Sequence, residues 1–447
     1  MNEVSRRKLA SEPRPDLLQS LTGSTPPMPP DPPARPRPVR TGPFGVLDIG
    51  SSKICCLIGR VESDGVIRVV GTGLQASKGV RAGGIVDLEA AYHAIQRTVA
   101  EAEEKSGHAL RRVWVNLTCG QPESRLYNVQ WPVGGRAVTE QDIRRVVQEG
   151  QHRSGAHGRN TVHALPLVFA VDETGGVADP RGMHCDRLSA KLHVIDAAAM
   201  AVQNMITTLD RCALGLEDLV SAPMASALAT LVEDERELGA TVIDMGGGTT
   251  GMAVFNEGQL LHTAYLPVGG LHVTNDIARI LSAPVAQAER LKTLYGSAQA
   301  SPDDDREMLT ISLVGEEQHH FHKVSRAEVV KIIRPRLEET FELVRARLEA
   351  ANLTREAGNR VVLTGGASQL SGAREMASRI LDRQVRLGKP AHLRGLPEVA
   401  SGPAFATAAG LLAWASGGGR RLSDIELTDD RPPTLLRRIV NFLRERV

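Results

Sequence analysis

The 447-residue sequence predicts an α/β protein with at least two cores, organised around glycine-rich hairpins. Three stretches carry that prediction. Near the middle, Ala240-Thr-Val-Ile-Asp-Met-Gly-Gly-Gly-Thr-Thr-Gly-Met-Ala-Val-Phe255 reads as a strand, a tight turn and a second strand. Much earlier, Phe44-Gly-Val-Leu-Asp-Ile-Gly-Ser-Ser-Lys-Ile-Cys-Cys-Leu-Ile-Gly59 repeats the plan, and Val361-Val-Leu-Thr-Gly-Gly-Ala-Ser-Gln-Leu370 later puts a third glycine turn after a strand. Glycines let the backbone turn where side chains would clash, and they leave successive N–H groups bare. Such a row of N–H groups makes an anion cradle suited to phosphate. A carboxylate at each mouth, Asp48 and Asp244, suits Mg²⁺ held through its waters. A ligand-free hairpin accounts for either stretch alone; the ordered set of three is far more specific.

Taken in order, residues 1–43 are rich in Pro, Arg, Ser and Thr and predict a disordered tail, since they cannot bury enough apolar surface to offset ordering entropy. Strands follow at Val46–Ile49, Ile54–Ile58 and Val66–Gly71, then a turn-rich segment around Gly83-Gly84, a helix from Leu88 to Gly107 and a strand at Val113–Leu117. Residues 120–205 break this βββαβ run with alternating strands at Arg125–Val133, His163–Val171 and Leu188–Ile195 and a helix from Thr139 to Glu149, a compact inserted α/β unit. A helix over Ala197–Arg211, a strand over Leu216–Val220 and a helix from Pro223 to about Glu235 lead to the central hairpin. Beyond it come a strand at Gln259–Val268, helices at Leu271–Leu281 and Pro284–Leu294, and a long charged helix at Ser325–Asn352 interrupted at Pro335. Ser368 and Leu370 begin a further helix, Val385 marks the last strand of the second core, and Pro403–Trp414 forms a helix packing back on the first.

The chain ends in Thr434-Leu-Leu-Arg-Arg-Ile-Val-Asn-Phe-Leu-Arg-Glu-Arg-Val447, joined by a Gly, Asp and Pro linker over residues 417–433. Leu436, Ile439, Val440, Leu443 and Val447 form one apolar stripe, widened by Leu435 and Phe442, with Arg437, Arg438, Arg444 and Arg446 opposite. A basic face, an apolar face and a tether predict a helix lying in an anionic membrane interface; docking on the domain is the other account of the pattern.

Bulk properties exclude several classes. The formal net charge is +1, so no global basic field suggests nucleic acid, and 3% aromatics is too sparse for a base-stacking platform. Five cysteines without a C-x-x-C pair predict a reduced cytoplasmic protein. No apolar run reads as a signal peptide, and the uncharged stretch Val399–Gly419, small-residue and interrupted by Pro403, reads as a buried helix. His319, His320 and His322 have a spacing open to metal, but with no ligand-spaced partner nearby they read as a solvated loop and edge strand.

In its three glycine turns the sequence resembles the superfamily of actin, heat-shock chaperone and sugar-kinase ATPases. More narrowly it is similar to the bacterial cell-division FtsA family, through Asp48-Ile-Gly-Ser-Ser-Lys53, Asp244-Met-Gly-Gly-Gly-Thr-Thr250, His262-Thr-Ala-Tyr-Leu-Pro-Val-Gly-Gly270, Thr274-Asn-Asp-Ile-Ala278, Ala288-Glu-Arg-Leu-Lys292 and Gly182-Met-His-Cys-Asp-Arg-Leu188. The resemblance covers residues 44–416 and returns in the last helix. It implies an actin-like two-lobed ATPase fold with an inserted small α/β subdomain, a disordered N-terminal tail and a C-terminal amphipathic helix. Its parts would be a first core subdomain at 44–119, 206–236 and 400–416, the insertion at 120–205, a second core subdomain at 237–270 and 346–399, and a small subdomain at 271–345, followed by the linker (417–433) and the membrane helix (434–447).

The resemblance further implies ATP with Mg²⁺ as cofactors. Asp48, Gly50, Ser51, Ser52 and Lys53 of the first hairpin and Asp244, Gly246, Gly247, Gly248, Thr249 and Thr250 of the second would clamp the phosphates. Gly365, Gly366, Ala367 and Ser368 would lie against the adenosine, with Glu289 and Lys292 reaching ribose and base; taken alone, that Glu and Lys read as a surface pair. Asp48 and Asp244 would hold Mg²⁺ through water. The polar side chains near the turn at Ala222 are only Ser221 and Ser226, a hint of slow hydrolysis at most. Implied partners are the tail of the tubulin-like protein FtsZ at residues 271–345 (with Lys292, Lys331, Arg334 and Arg336 as complementary charge), further copies of the chain, later division proteins at the insertion, and anionic lipid, at the cytoplasmic face of the inner membrane at midcell. A sugar or acid kinase, or a pilus-type assembly ATPase, shares the hairpins and is the alternative reading.

Overall fold

A computed structural model describes residues 42–154, 158–315, 321–391 and 393–417. The tail (but for Gly42 and Pro43), His319, His320, the linker beyond Gly417 and the terminal helix with Leu435, Leu436, Arg437, Arg438, Ile439, Val440, Phe442, Leu443 and Arg444 lie outside the described residues.

β1 (Phe44–Ile49), β2 (Lys53–Val61) and β3 (Ile67–Ala76) form an antiparallel meander. A small hairpin, β4 (Val80–Arg81) and β5 (Gly84–Ile85), precedes α1 (Leu88–Ser106) and β6 (Arg112–Leu117). α1 starts where the Asp87 carboxylate accepts the N–H groups of Glu89 and Ala90, and it stops at Gly107 in the left-handed region. β6 pairs parallel to β1. The inserted unit follows: β7 (Glu123–Pro132), α2 (Glu140–Ser154), β8 (Arg159–Val171), β9 (Thr174–Val177) and β10 (Arg187–Ala198), a four-stranded sheet in the order β7-β10-β8-β9 with its own core around Ile143, Val146, Phe169, Leu188 and Leu192. α3 (Ala199–Arg211), β11 (Gly215–Ser221), α4 (Ala222–Thr230) and α5 (Glu233–Leu238) return to the first sheet, where β11 extends β6 in parallel.

The second sheet begins with β12 (Ala240–Met245), β13 (Thr250–Asn256) and β14 (Gln259–Leu266). Next come α6 (Gly270–Ile280), α7 (Val285–Tyr295), the hairpin β15 (Met308–Ile311) and β16 (His322–Ser325), and α8 (Arg326–Ala350), opened by a capping box between Ser325 and Glu328. β17 (Arg360–Thr364), α9 (Ala373–Leu381), β18 (Gln384–Leu387), β19 (Leu393–Arg394) and α10 (Ala406–Ala415) complete the described chain. The sheet orders are β11-β6-β1-β2-β3-β19 and β14-β13-β12-β17-β18. Each therefore starts as an antiparallel meander and adds parallel strands beside its first strand.

α4 and α10 are apolar nearly all round, and such a helix must be covered on every side. Every residue of α4 is buried, and so is α10 through Leu412. Their side chains join one core that takes residues from both sheets, including Leu47 and Val115 of the first and Val242, Phe255 and Val362 of the second. The two helices approach so closely that a methyl group on Gly410 would stand 1.7 Å from the Ala225 carbonyl oxygen.

Three sequence expectations are corrected. α8 runs unbroken through Pro335: its N-terminal half packs Val329 and Ile333 into the α6–α7 core and its C-terminal half packs Leu337, Phe341 and Val344 against the second sheet, so burial on both sides outweighs the lost hydrogen bond. After the third glycine turn, Gly366–Gln369 is a single 3₁₀ turn, and the α-helix begins only at Ala373, because Gly372 takes φ 77°. α4 ends at Thr230 instead of continuing to Glu235, with Leu231 extended, and Glu235 is held by Arg386.

Candidate functional site

The two hairpins close in the same way. Gly50 N–H donates to Lys53 O at 3.0 Å, and Gly246 N–H donates to Thr249 O at 2.9 Å. Each bond leaves a two-residue tip, Ser51-Ser52 or Gly247-Gly248, and the tips face each other. A methyl on Gly247 would come 2.9 Å from Ser52 Cβ, and one on Gly248 would come 2.5 Å from Ser51 Oγ. Only glycine fits the second tip at this separation. The β4–β5 turn closes over them: Gly83 N–H donates to Ser51 Oγ at 3.1 Å, and a Gly248 methyl would also reach Ala82 N at 3.1 Å. Two open clefts of about 560 and 460 Å³ lie elsewhere, one between α8 and α9 around Arg345 and Arg383, one along β3 beside Val399.

Behind the tips stand the carboxylates. Asp48 is pushed up to about 6, first by burial, with Asp244 adding to the rise and Lys53 opposing it. Asp244 is also raised by burial, against the pull of Ser226, Thr407 and Lys53. Asp244 Oδ2 accepts from Ser226 Oγ at 2.5 Å and from Thr407 Oγ1 at 2.9 Å. The end of β1 is braced by Asn116, which accepts from Ile49 N–H at 2.7 Å.

The third turn docks on the second hairpin. Gly365 has φ 83°, and a methyl there would sit 2.4 Å from Asp244 Oδ1. Ser368 Oγ donates back to Gly365 O at 2.7 Å. The start of α6 joins the same place, with Gly270 N–H donating to Gly246 O at 2.9 Å and Leu271 N–H to Gly247 O at 2.8 Å. Lys292 Nζ, on α7, donates to Gly270 O at 3.1 Å, Thr274 Oγ1 at 2.9 Å and Glu289 at 2.7 Å. A methyl on Gly270 would be 3.1 Å from Ala367 Cβ and 3.6 Å from Lys292 Nζ. The pair predicted on α7 and the third turn therefore meet around Gly270.

The structure brings together Asp48, Gly50, Ser51, Ser52, Asp244, Gly246, Gly247, Gly248, Gly365, Ala367 and Lys292. Lys53 lies close enough to lower both carboxylates but spends its hydrogen bond beside the third turn, and Thr250 is committed elsewhere. Lys53 donates to Ala404 O and sits 4.2 Å from the centre of the Phe405 ring, and Thr250 Oγ1 donates to Val268 O at 2.8 Å. Of the cations expected to face an acidic tail, Arg334 pairs with Glu338 and Arg336 with Asp276. Sequence reasoning missed Asn116, Thr407 and the β4–β5 turn. Ser221, noted near the turn at Ala222, bonds Tyr265 Oη at 2.9 Å.

The donor set fits a magnesium nucleotide. Two neighbouring carboxylates, buried Asp48 raised in part by Asp244 and part-buried Asp244 itself, suit a cation, and the facing glycine and serine tips offer N–H and O–H donors to an anion. Among the described residues no group of three or more His, Cys, Asp or Glu could hold a metal directly.

Two sheets of this topology, joined by a shared helix pair and meeting at paired glycine hairpins, define the actin-like ATPase fold. The fold is shared, at TM-score 0.60 and 19% identity, with a chain of the PilM-PilN type IV pilus biogenesis complex (83% of this chain, 98% of that one). It is shared at TM-score 0.50 and 15% identity with an MreB of Spiroplasma citri bound to AMPPNP (86% and 99%). The family model for cell division protein FtsA matches residues 241–410, and that for the SHS2 domain inserted in FtsA matches residues 120–196. The chain is 42% identical over 393 residues to the cell division protein FtsA of Agrobacterium fabrum, covering 86% of this chain and 88% of that protein. It belongs to the cell division protein FtsA family.

Proposed function

We propose that this protein binds Mg·ATP between its hairpins and, as an actin-like polymer, tethers the FtsZ ring to the cytoplasmic face of the inner membrane at midcell. The observation that carries the nucleotide reading is the abutment of Ser51-Ser52 on Gly247-Gly248 with Asp48 and Asp244 behind them. Ser51, Ser52, Gly247, Gly248 and Thr249 would hold phosphate. Asp48 and Asp244 would hold Mg²⁺ through its waters, and the bound cation would neutralise phosphate charge. Gly365, Gly366, Ala367 and Ser368, with Glu289 and Lys292, would line the adenosine. ATP acts here as a structural ligand, and hydrolysis is slow at most: the nearby hydroxyls of Ser221 and Ser226 are already bonded to Tyr265 and Asp244.

The remaining roles follow family membership and the sequence. The helix at 434–447 would anchor the polymer in anionic lipid, residues 271–345 would take the FtsZ tail, and the inserted unit would recruit later division proteins. Family membership favours this reading over a small-molecule kinase or a pilus-type ATPase. Equilibrium titration with a fluorescent ATP analogue tests the nucleotide half. Saturable binding that Asp244→Asn weakens by tenfold or more (roughly the effect of losing one charged partner) supports it, and no binding at millimolar nucleotide and Mg²⁺ ends it.

A further inference from the structure

Asp244 hangs between two parts of the molecule. It sits on β12 of the second sheet, and its Oδ2 accepts from Ser226 on α4 and Thr407 on α10, the helix pair whose core takes residues from both sheets. The two hydroxyls are themselves 2.9 Å apart. Ser226 is wholly buried and Thr407 is 9% exposed, so the two donors are shielded from water. The other oxygen, Oδ1, lies beside Gly365, where a side chain would crowd it. Asp48 receives no such hydroxyl among the described residues. The contact of Gly410 on Ala225 fixes the spacing of α4 and α10, and with it the spacing of the hydroxyl pair.

A hydroxyl pair aimed at one oxygen of a carboxylate fixes the rotation of the group so that the remaining lone pairs point one way. Groups that orient a metal-binding carboxylate in this manner commonly govern metal affinity by about 10- to 100-fold when removed. We propose that Ser226 and Thr407 are positioning residues that set the Mg²⁺ dependence of nucleotide binding. They hold Asp244 in one orientation only when α4 and α10 are seated between the sheets. The proposal rests on reading the cleft as a Mg·ATP site. It adds that metal affinity is controlled from the α4–α10 helix pair.

The test uses the full chain. Wild type, Thr407→Val (same shape, no hydroxyl), Ser226→Ala, and the hydroxyl-keeping Thr407→Ser are titrated with fluorescent ATP analogue in EDTA and then with Mg²⁺ at fixed nucleotide, with a melting curve for each. The expected result is an apparent Mg²⁺ Kd raised about 10- to 100-fold in Thr407→Val and Ser226→Ala, an unchanged nucleotide Kd in EDTA, and near-wild-type Mg²⁺ behaviour in Thr407→Ser. Unchanged Mg²⁺ Kd in a well-folded Thr407→Val overturns the proposal while leaving the nucleotide reading intact. Equal losses with and without Mg²⁺ overturn it too, because they mark a merely structural contact. Wild type that binds no nucleotide takes down the underlying reading and this proposal together.

Discussion

At the residue scale, two glycines carry opposite lessons. Gly248 faces a serine hydroxyl and Gly410 a backbone carbonyl. Gly248→Ala puts a methyl 2.5 Å from Ser51 Oγ, a side chain that can rotate away only by giving up the Gly83 N–H. The expected outcome is a near-normal melting temperature with nucleotide affinity down by tenfold or more, read by the same fluorescent titration. Gly410→Ala is different. Alanine is favoured over glycine in a helix by about 1 kcal/mol, but here the methyl would meet the Ala225 carbonyl at 1.7 Å. Overpacking of this kind costs about 1–3 kcal/mol or more, so it outweighs propensity. Chemical denaturation should show a net loss of stability; a gain would mean that α4 and α10 can separate freely. The glycines of the hairpins announce themselves by clustering beside Asp48 and Asp244. Thr407 does not, because one threonine in an alanine-rich helix has no local signal; its role exists only once α10 crosses α4 beneath β12.

At the element scale, the inserted sheet is buttoned to the second sheet by a polar joint. Ser124 Oγ on β7 lies 2.5 Å from His193 Nε2 on β10 and 3.3 Å from His262 Nδ1 on β14, and it accepts from Thr263 N–H at 3.2 Å. His163, on β8, accepts from Ser221 N–H at 3.1 Å on the first sheet. His193 is pushed down to about 3, first by burial and then by His262 and His163; His262 is lowered by burial and by Arg347. Unfolded histidine titrates near 6.5, so between pH 6.5 and about 3 the unfolded chain binds the extra proton. The stability His193 contributes is complete above that window and is lost as pH falls through it, on the order of 3 kcal/mol by pH 4. His193→Asn, which cannot take up that proton, should flatten the acid limb of a denaturation series relative to wild type; identical slopes would remove the joint from the acid response. Insertion and strands were legible in residues 120–205 because strict alternation marks half-buried strands. The joint was not, since Ser124, His193 and His262 lie far apart in sequence and each alone reads as ordinary strand polarity. Pro335 misled in the opposite direction: a local breaker rule lost to two cores pulling on the same helix.

At the scale of the whole molecule, the proposed function requires a nucleotide-binding body to reach lipid. Among the described residues no helix is long and apolar enough to cross a membrane. The proposed lipid contact is the segment 434–447, whose sequence spaces Leu436, Ile439, Val440 and Leu443 as one apolar set among Arg437, Arg438 and Arg444. Each arginine near an anionic leaflet adds about 1 kcal/mol, and one short amphipathic helix gives only weak, reversible binding. Linking copies into a polymer makes the second and later helices bind at high effective concentration, an enhancement of about 10² to 10⁴ without any new contact. Attachment should therefore depend on three things at once: the terminal segment, anionic lipid and nucleotide-supported assembly. In co-sedimentation with vesicles, the intact chain with Mg·ATP should pellet strongly on anionic lipid and weakly on neutral lipid, and a chain ending at Gly417 should remain in the supernatant. A monomeric variant should pellet only at much higher lipid. Equal pelleting of the intact and shortened chains would move the lipid contact into the folded body and detach the anchor from the sequence pattern that predicts it.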